Sequence, residues 1–360
     1  MILKPTEANL KKCASLLRSG QVGAMPTETV YGLAANALDV NAVGRIFHAK
    51  KRPITDPLIV HIVSIKDVNM IASEVPDPIK KLMKRFWPGP LTVVLPKRKE
   101  VPNLVTAGLD TVAIRMPSHP IARQLIKTTG FPLAAPSANH FGRTSITGAA
   151  AVEEEFGDDI SFVLDGGDCA IGLESTILKY DDGKIIILRP GGIDMEAIQK
   201  ALPKISVQLS RGVKIEAPGQ MDQHYATQTP LLYSQSSYAS QVKYLEGFRD
   251  WCQQSKKPFP RLGFLTFDQK PTSTIFVAGE VLTQKKNYKK AASRLFHSMR
   301  ELDKCQLDFI IAEDMPRESM GLAMHDRLKR ASMDTDIREQ FKYKVNQKRK
   351  AIKNGRIKHD

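Results

Sequence analysis

A chain of 360 residues exceeds what one hydrophobic core usually serves, so two domains are expected. Hydrophobic residues at 42% and charged residues at 25% describe an ordinary globular composition, which excludes wholesale disorder; no apolar run reaches the roughly 18 residues of a spanning helix, which excludes an integral membrane protein. Fifty-three basic residues against 38 acidic ones give +15, an excess that suits a polyanionic partner such as nucleic acid or a nucleotide phosphate.

The excess is uneven. Residues 1–205 carry +4 and residues 206–360 carry +11, of which +7 lies in the last nineteen residues. Four cysteines (Cys13, Cys169, Cys252, Cys305) stand far apart without a CxxC pair, and the first residues lack a secretory apolar core. A reduced, cytoplasmic chain is therefore expected.

In chain order, a helix follows Thr6 and stops at Gly20, then a strand covers Gln21–Thr27 and a helix Ala42–Lys51. Apolar runs at 58–63, 91–96, 111–117, 132–137, 162–165, 176–180 and 184–190 read as strands covered on both faces. Helical patterns at 76–86, 119–129 and 148–156 supply the cover. The pattern breaks between about 206 and 230, a linker. A second α/β pattern runs from 231 to 341, with strands at 231–234, 261–267, 272–279 and 308–314 and helices at 238–254, 288–303 and 321–332. Such alternation predicts a small parallel, Rossmann-like sheet, but the Gly-x-Gly-x-x-Gly turn of a dinucleotide site is missing. Residues 342–360 form a basic tail, read as a solvated end. There is no P-loop, no His-Glu-x-x-His and no Gly-x-Ser-x-Gly, so any nucleotide is held by scattered cations and hydroxyls.

Four segments of the first half combine turns, hydroxyls and cations. In Pro26–Ala37 (PTETVYGLAANA) two threonines and a glutamate sit where a strand passes into a loop and polar groups can line a pocket; the blander reading is a capping Thr29 and a turn at Gly32. In Ala49–Ile62, Lys50 and Arg52 stand two apart before a buried strand and would project to one side if extended. His61 sits in that strand, where a core role competes with a functional one. In Pro136–Ala149, Ser137, Asn139, Ser145 and Thr147 precede a helix, a potential anion site. In Gly172–Ile193, Ser175 and Thr176 open a strand and Arg189 closes one. Arg115 and Arg189 lie in apolar strands without acidic sequence neighbours, which favours a bound anion over internal salt bridges.

Taken in order, PTETVYGLA, Lys50-x-Arg52, Ser137-x-Asn139, Glu174-Ser-Thr-Ile and LRPGGI resemble the YrdC-like domain of L-threonylcarbamoyladenylate synthases across roughly residues 5–205. His224-Tyr225-Ala226 and GLAMHDRLKRAS are similar to the longer, two-domain version of that family. The resemblance implies an α/β fold: an N-terminal twisted mixed sheet with helices, plus a smaller C-terminal α/β domain, joined by a lid-forming linker.

It implies a nucleotidyltransferase that condenses L-threonine, bicarbonate or CO2, and ATP into threonylcarbamoyl-AMP and pyrophosphate. Mg²⁺ would accompany ATP, with no organic cofactor. A downstream transferase complex would pass the group to tRNA (t6A), and the tail offers weak RNA contact. Lys50, Arg52, Ser137 and Asn139 are the implied catalytic residues. Thr29, His61, Arg115, Ala135 and Ser175 fall at threonine-contacting positions. Arg52, Asp56, Thr111, Ser137, Ser145, Arg189 and Tyr225 fall at nucleotide-contacting positions, with Tyr225 closing over the nucleotide. Asp56 stands where the family more often has asparagine, so Mg²⁺ or Lys51 would have to offset its charge. Thr227 stands where proline usually follows the His-Tyr-Ala motif. The alternative from another class is a non-enzymatic RNA-binding protein; a further one is a carbamoyltransferase-linked maturation factor, which would be expected to carry zinc-finger cysteines.

Overall fold

The computed structural model describes residues 1–210, 216–221, 224–233, 235–333, 337 and 339–342, so the basic tail beyond Lys342 lies outside the described residues. The first sheet is built from β1 (Ile2–Leu3), β2 (Gly23–Met25), β3 (Gly32–Asn36), β4 (Ile59–His61), β5 (Leu91–Pro96) and β6 (Thr111–Arg115). It continues with β7 (Leu133–Ala134), β8 (Val163–Leu164), β9 (Thr176–Asp181), β10 (Lys184–Arg189) and β11 (Val207–Leu209). Their spatial order is β1-β8-β2-β3-β7-β4-β6-β5-β9-β10-β11, with parallel and antiparallel neighbours mixed.

Helices α1 (Glu7–Arg18), α2 (Val40–Lys50), α3 (Val68–Ile71), α4 (Asp77–Phe86), α5 (Asn103–Thr106), α6 (Pro120–Thr129), α7 (Ala149–Phe156) and α8 (Met195–Ala201) belong to this half. The expected cover on both faces is present. Leu10, Cys13, Leu17, Leu125 and Ile126 of α1 and α6 bury one face with Met25, Ala34 and Leu133. Ile46 and Phe47 of α2 and Leu82 and Met83 of α4 bury the other with Val60, Val93 and Ile114. Each such Leu or Ile, fully buried, contributes about 1.5–3 kcal/mol.

The second sheet holds β12 (Leu231–Tyr233), β13 (Leu262–Thr266), β14 (Phe276–Val281) and β15 (Phe309–Ala312), all parallel, in the order β12-β15-β13-β14. Helices α9 (Tyr238–Gln254), α10 (Tyr288–Asp303) and α11 (Gly321–Ala331) pack around it.

Three details depart from the sequence reading. Gly32 opens strand β3 instead of making a turn. Val207–Leu209, expected in the linker, pair in parallel with β10 at the edge of the first sheet. Lys50 ends α2 and Lys51 caps it in the left-handed region (φ 52°), so the segment holding Lys50 and Arg52 is not extended.

The halves are packed, not tethered. Gly172, with φ 73°, lies so close to α10 that an added Cβ would sit 2.4 Å from Ser293 Cα. Val30, Leu173 and Tyr225 share one apolar cluster with Leu295, Phe296 and Met324 of the second half. Ala217 of the linker covers Ile59, Val94, Ala113, Ile177 and Leu188 on the first sheet.

Candidate active site

Strand register brings distant residues to one edge of the first sheet. His61 ends β4 opposite Arg115, which ends β6; Arg115 lies opposite Thr92 of β5, Thr92 opposite Ile177 of β9, and Ile177 opposite Arg189 of β10. Just before β9, the Ser175 hydroxyl lies 2.7 Å from that of Thr92. Two further segments close the edge: the β2–β3 loop with Thr27, and the stretch Ala135–Ser137 after β7. The enclosed cavity measures about 40 Å³. Of the sequence-predicted residues its walls include Arg52, His61, Arg115, Ala135, Ser137, Ser175, Arg189 and Tyr225.

Six others stand elsewhere. Lys50 is buried with its ammonium on the carbonyls of Ser137 (2.5 Å) and Asn139, so it fastens the 137–139 loop from behind. Burial and the neighbouring Arg52 hold that amine well below its ordinary range. Asn139 donates its amide to the carbonyls of His140 (2.7 Å) and Arg143 (3.0 Å). Thr29 shares a hydroxyl contact with Thr27 at 2.8 Å. Ser145 donates to Glu174 at 2.5 Å. Asp56 pairs with Arg52 at 2.9 Å, both side chains buried, so Arg52 and not Lys51 offsets its charge. Thr111 opens β6 opposite Pro96, at the far end of the strand that Arg115 ends, about 13 Å away at 3.3 Å per residue. The structure does not bring it to the cavity.

The two strand arginines differ. Arg115 donates to Glu28 at 2.8 Å, so its acidic partner lies 87 residues earlier in the chain and the expected absence of an internal salt bridge is wrong for it. Its buried Nε has no hydrogen-bond partner among the described residues. Arg189 pairs with no carboxylate among the described residues; it donates to the carbonyls of Ser175 (3.1 Å) and Pro218 (3.2 Å). Burial, and Arg115 beside it, push His61 down to about 3, so it is a neutral imidazole. With Nδ1–H given to the Ile59 carbonyl at 3.2 Å, Nε2 is an acceptor.

Sequence reasoning missed several wall residues: Thr27, Tyr31, Glu174, Pro218, Gly219 and His224. Glu174 and His224 stood inside quoted motifs, but nothing in the sequence showed that their side chains turn inward. Tyr225 takes φ 66°, its hydroxyl buried without a hydrogen-bond partner among the described residues and its ring 5.5 Å from Phe296. Arg327 of α11 lies 5.0 Å over that ring. A separate groove of about 710 Å³ is lined by Lys51, His140, Arg143, Arg300 and Lys304 together with Glu154, Glu155 and Asp303, and it reaches the linker at Ala226 and Gln228. Among the described residues no cluster of three or more His, Cys, Asp or Glu side chains is arranged to hold a metal.

Residues 15–191 match the family described as Telomere recombination (Sua5, YciO, YrdC), and residues 193–333 match Threonylcarbamoyl-AMP synthase, C-terminal domain. The threonylcarbamoyl-AMP synthase of Pyrococcus abyssi is 39% identical over 338 residues, covering 91% of this chain and 94% of the relative. This chain belongs to the threonylcarbamoyl-AMP synthase family. The Bacillus subtilis member is 40% identical, with 93% of this chain and 96% of the relative covered. The crystal structure of P. abyssi Sua5 complexed with L-threonine superposes with a TM-score of 0.83 at 37% identity, covering 92% of this chain and 97% of that one. The synthase family fold thus extends across both halves of this chain.

Proposed function

We propose that this chain is a threonylcarbamoyl-AMP synthase, joining L-threonine, bicarbonate or CO2, and ATP into threonylcarbamoyl-AMP with release of pyrophosphate. The observation that carries the reading is one sheet edge holding two kinds of arginine. Arg115, half-neutralised by Glu28 and with a free Nε, suits a single amino-acid carboxylate. Arg189, bonded only to carbonyls and a hydroxyl, retains its full charge for phosphates. A relative with this fold has been crystallised with L-threonine.

In this reading the threonine amine combines with the inorganic carbon to form a carbamate. A carbamate oxygen then bonds to the α-phosphorus as the bond to pyrophosphate breaks. Such a transfer depends on positioning and on fixed positive charge. Arg52, held by Asp56 and by the carbonyls of Asp56 and Pro57, and Arg189, held by Ser175 and Pro218, are positioned in advance. Ser137 presents a hydroxyl on the loop that Lys50 pins. Mg²⁺ would enter with ATP as part of the substrate and would neutralise phosphate charge; Asp56, whose oxygens accept no hydrogen bond among the described residues, is a buried carboxylate paired with Arg52.

A cavity of about 40 Å³ holds a water or two, not a nucleotide, so substrates enter when Pro218, Gly219, His224 and Tyr225 move aside. Closure afterwards keeps water from a labile carbamate and mixed anhydride. The product would pass to a tRNA threonylcarbamoyl transferase complex, with the basic tail a weak RNA contact.

The test is pyrophosphate release with ATP, bicarbonate and Mg²⁺, with and without threonine. The expected result is release only when threonine is present. Release independent of threonine, or none under any condition, overturns the reading, and RNA binding without turnover would favour the RNA-binding alternative.

A further inference from the structure

The wall of the cavity includes a carboxylate, Glu174, whose presence beside phosphate-binding cations needs an explanation. Its two oxygens are both occupied. Oε1 accepts from Ser145, and Oε2 accepts from Nε of Arg327 at 2.8 Å. Arg327 comes from α11 of the second half, 153 residues later, and its side chain is fully buried. Its Nη1 donates to Asp326, whose other oxygen is held by Arg330, its Nη2 donates to the carbonyl of Pro190 at 2.9 Å, and its guanidinium lies against the Tyr225 ring. Arg327 therefore grips the residue before Ser175 and the residue after Arg189. Burial alone would push the Glu174 carboxyl up, yet Arg327, then Arg189 and the Ser145 hydroxyl, bring it down to about 2. Glu174 is thus a permanent anion that interacts with two arginines, and one of them is Arg189.

We propose that Arg327 is a positioning residue that neutralises Glu174 from the second domain, so that Arg189 stays free for the phosphates of the nucleotide. The inference rests on the nucleotide role of Arg189 in the reading above. Without Arg327, the buried carboxylate has Arg189 as its remaining charged partner. The cation is then drawn to Glu174, and the carboxylate repels the incoming phosphates. The second domain completes the electrostatics of the site, which explains why α11 packs against it. A merely structural role for Arg327 would cost stability in proportion to lost contacts, and removing the carboxylate would not undo the loss of nucleotide affinity.

The experiment measures ATP binding directly by calorimetry, and KM for ATP and threonine separately, on the full chain. Arg327→Ala is expected to weaken ATP about tenfold or more while threonine changes by less than about threefold. Adding Glu174→Gln to it should recover most of that loss, because the anion that captures Arg189 is gone. Should Arg327→Ala fail to fold, the pair Glu174→Gln with Arg327→Met, which removes both charges, decides by the same readout. ATP affinity within a few-fold of the parent chain supports the inference, and affinity still tenfold weaker in the neutral pair overturns it. A parent chain without threonine-dependent pyrophosphate release sinks the functional reading instead; a turning-over parent whose Arg327→Ala variant binds ATP normally sinks this inference alone.

Discussion

At the scale of single residues, burial decides which charges can act. Arg52 and Asp56 are a buried pair, so Arg52→Ala removes a cation proposed to face the phosphates and also strands a carboxylate. A loss of about 3–5 kcal/mol in unfolding free energy is expected, partly restored by Asp56→Asn in the same chain. Equal stability of the single and double variants in urea titrations would contradict the pairing. Arg189→Ala behaves differently, because no carboxylate is stranded: synthesis is lost while the circular dichroism spectrum stays that of the parent.

The histidines give a pH signature. Burial first, then Arg115, drive His61 down to about 3; burial drives His224 to about 3 as well, with Glu174 opposing and Arg52 assisting. Their ordinary value is 6.5, so the unfolded chain binds more protons than the folded one between about 6.5 and about 3. Stability therefore falls as pH drops below about 6.5, by about 1.4 kcal/mol per pH unit for each histidine once protonation of the unfolded chain is complete. Burial also lowers His119 and His325 and raises Asp56 and Glu313, so the share of His61 is read as the difference between the parent and a His61 variant. Denaturation midpoints between pH 4.5 and 6.5 should flatten in the His61→Asn variant, and an unaltered slope would count against a neutral His61.

At the scale of elements, the linker and the close approach of α10 matter most. Gly172 faces the Ser293 backbone with no room for a methyl group, and its φ of 73° adds strain for any other residue. Gly172→Ala should separate the domains and lower the melting temperature by several degrees, measured calorimetrically. Tyr225, in the left-handed region and bearing on Arg327 and Phe296, belongs to the part proposed to move. Tyr225→Ala should raise KM for ATP more than KM for threonine, and the reverse ranking would remove it from the nucleotide side.

Elements were also where the sequence was most readable. Helix α9 runs from Tyr238 to Gln254 and α10 from Tyr288 to Asp303, as periodicity indicates. Strand β5 spans the whole apolar run 91–96. The site was readable as motifs but not as layers. Ser137 and Arg189 reach the cavity, whereas Lys50 and Ser145 hold the frame behind it. Long-range packing separates these roles: Lys50 is turned onto the 137–139 loop and Ser145 onto Glu174, contacts that no local pattern encodes. Arg115 shows the same limit: its acidic partner Glu28 reaches it from the β2–β3 loop, 87 residues away in sequence.

At the scale of the whole molecule, the net charge of +15 divides into parts with different roles. The informative cations of the site are a few buried ones, whereas the tail beyond Phe341 carries +7 in nineteen residues. Phe341 itself is buried among Phe248 and Ile337, so truncation after it should leave the fold and the adenylate-forming rate near those of the parent. A several-fold loss of turnover in that truncation would place the tail in the site.

The first half and the linker line one cavity, Arg327 of the second half holds two of its wall residues, and the chemistry proposed for it has a single diagnostic product. With ¹³C-bicarbonate, ATP, Mg²⁺ and L-threonine, mass spectrometry of the quenched reaction should show a threonylcarbamoyl adenylate carrying the label. An unlabelled threonyl adenylate, or no adenylate although ATP is bound, would contradict the account.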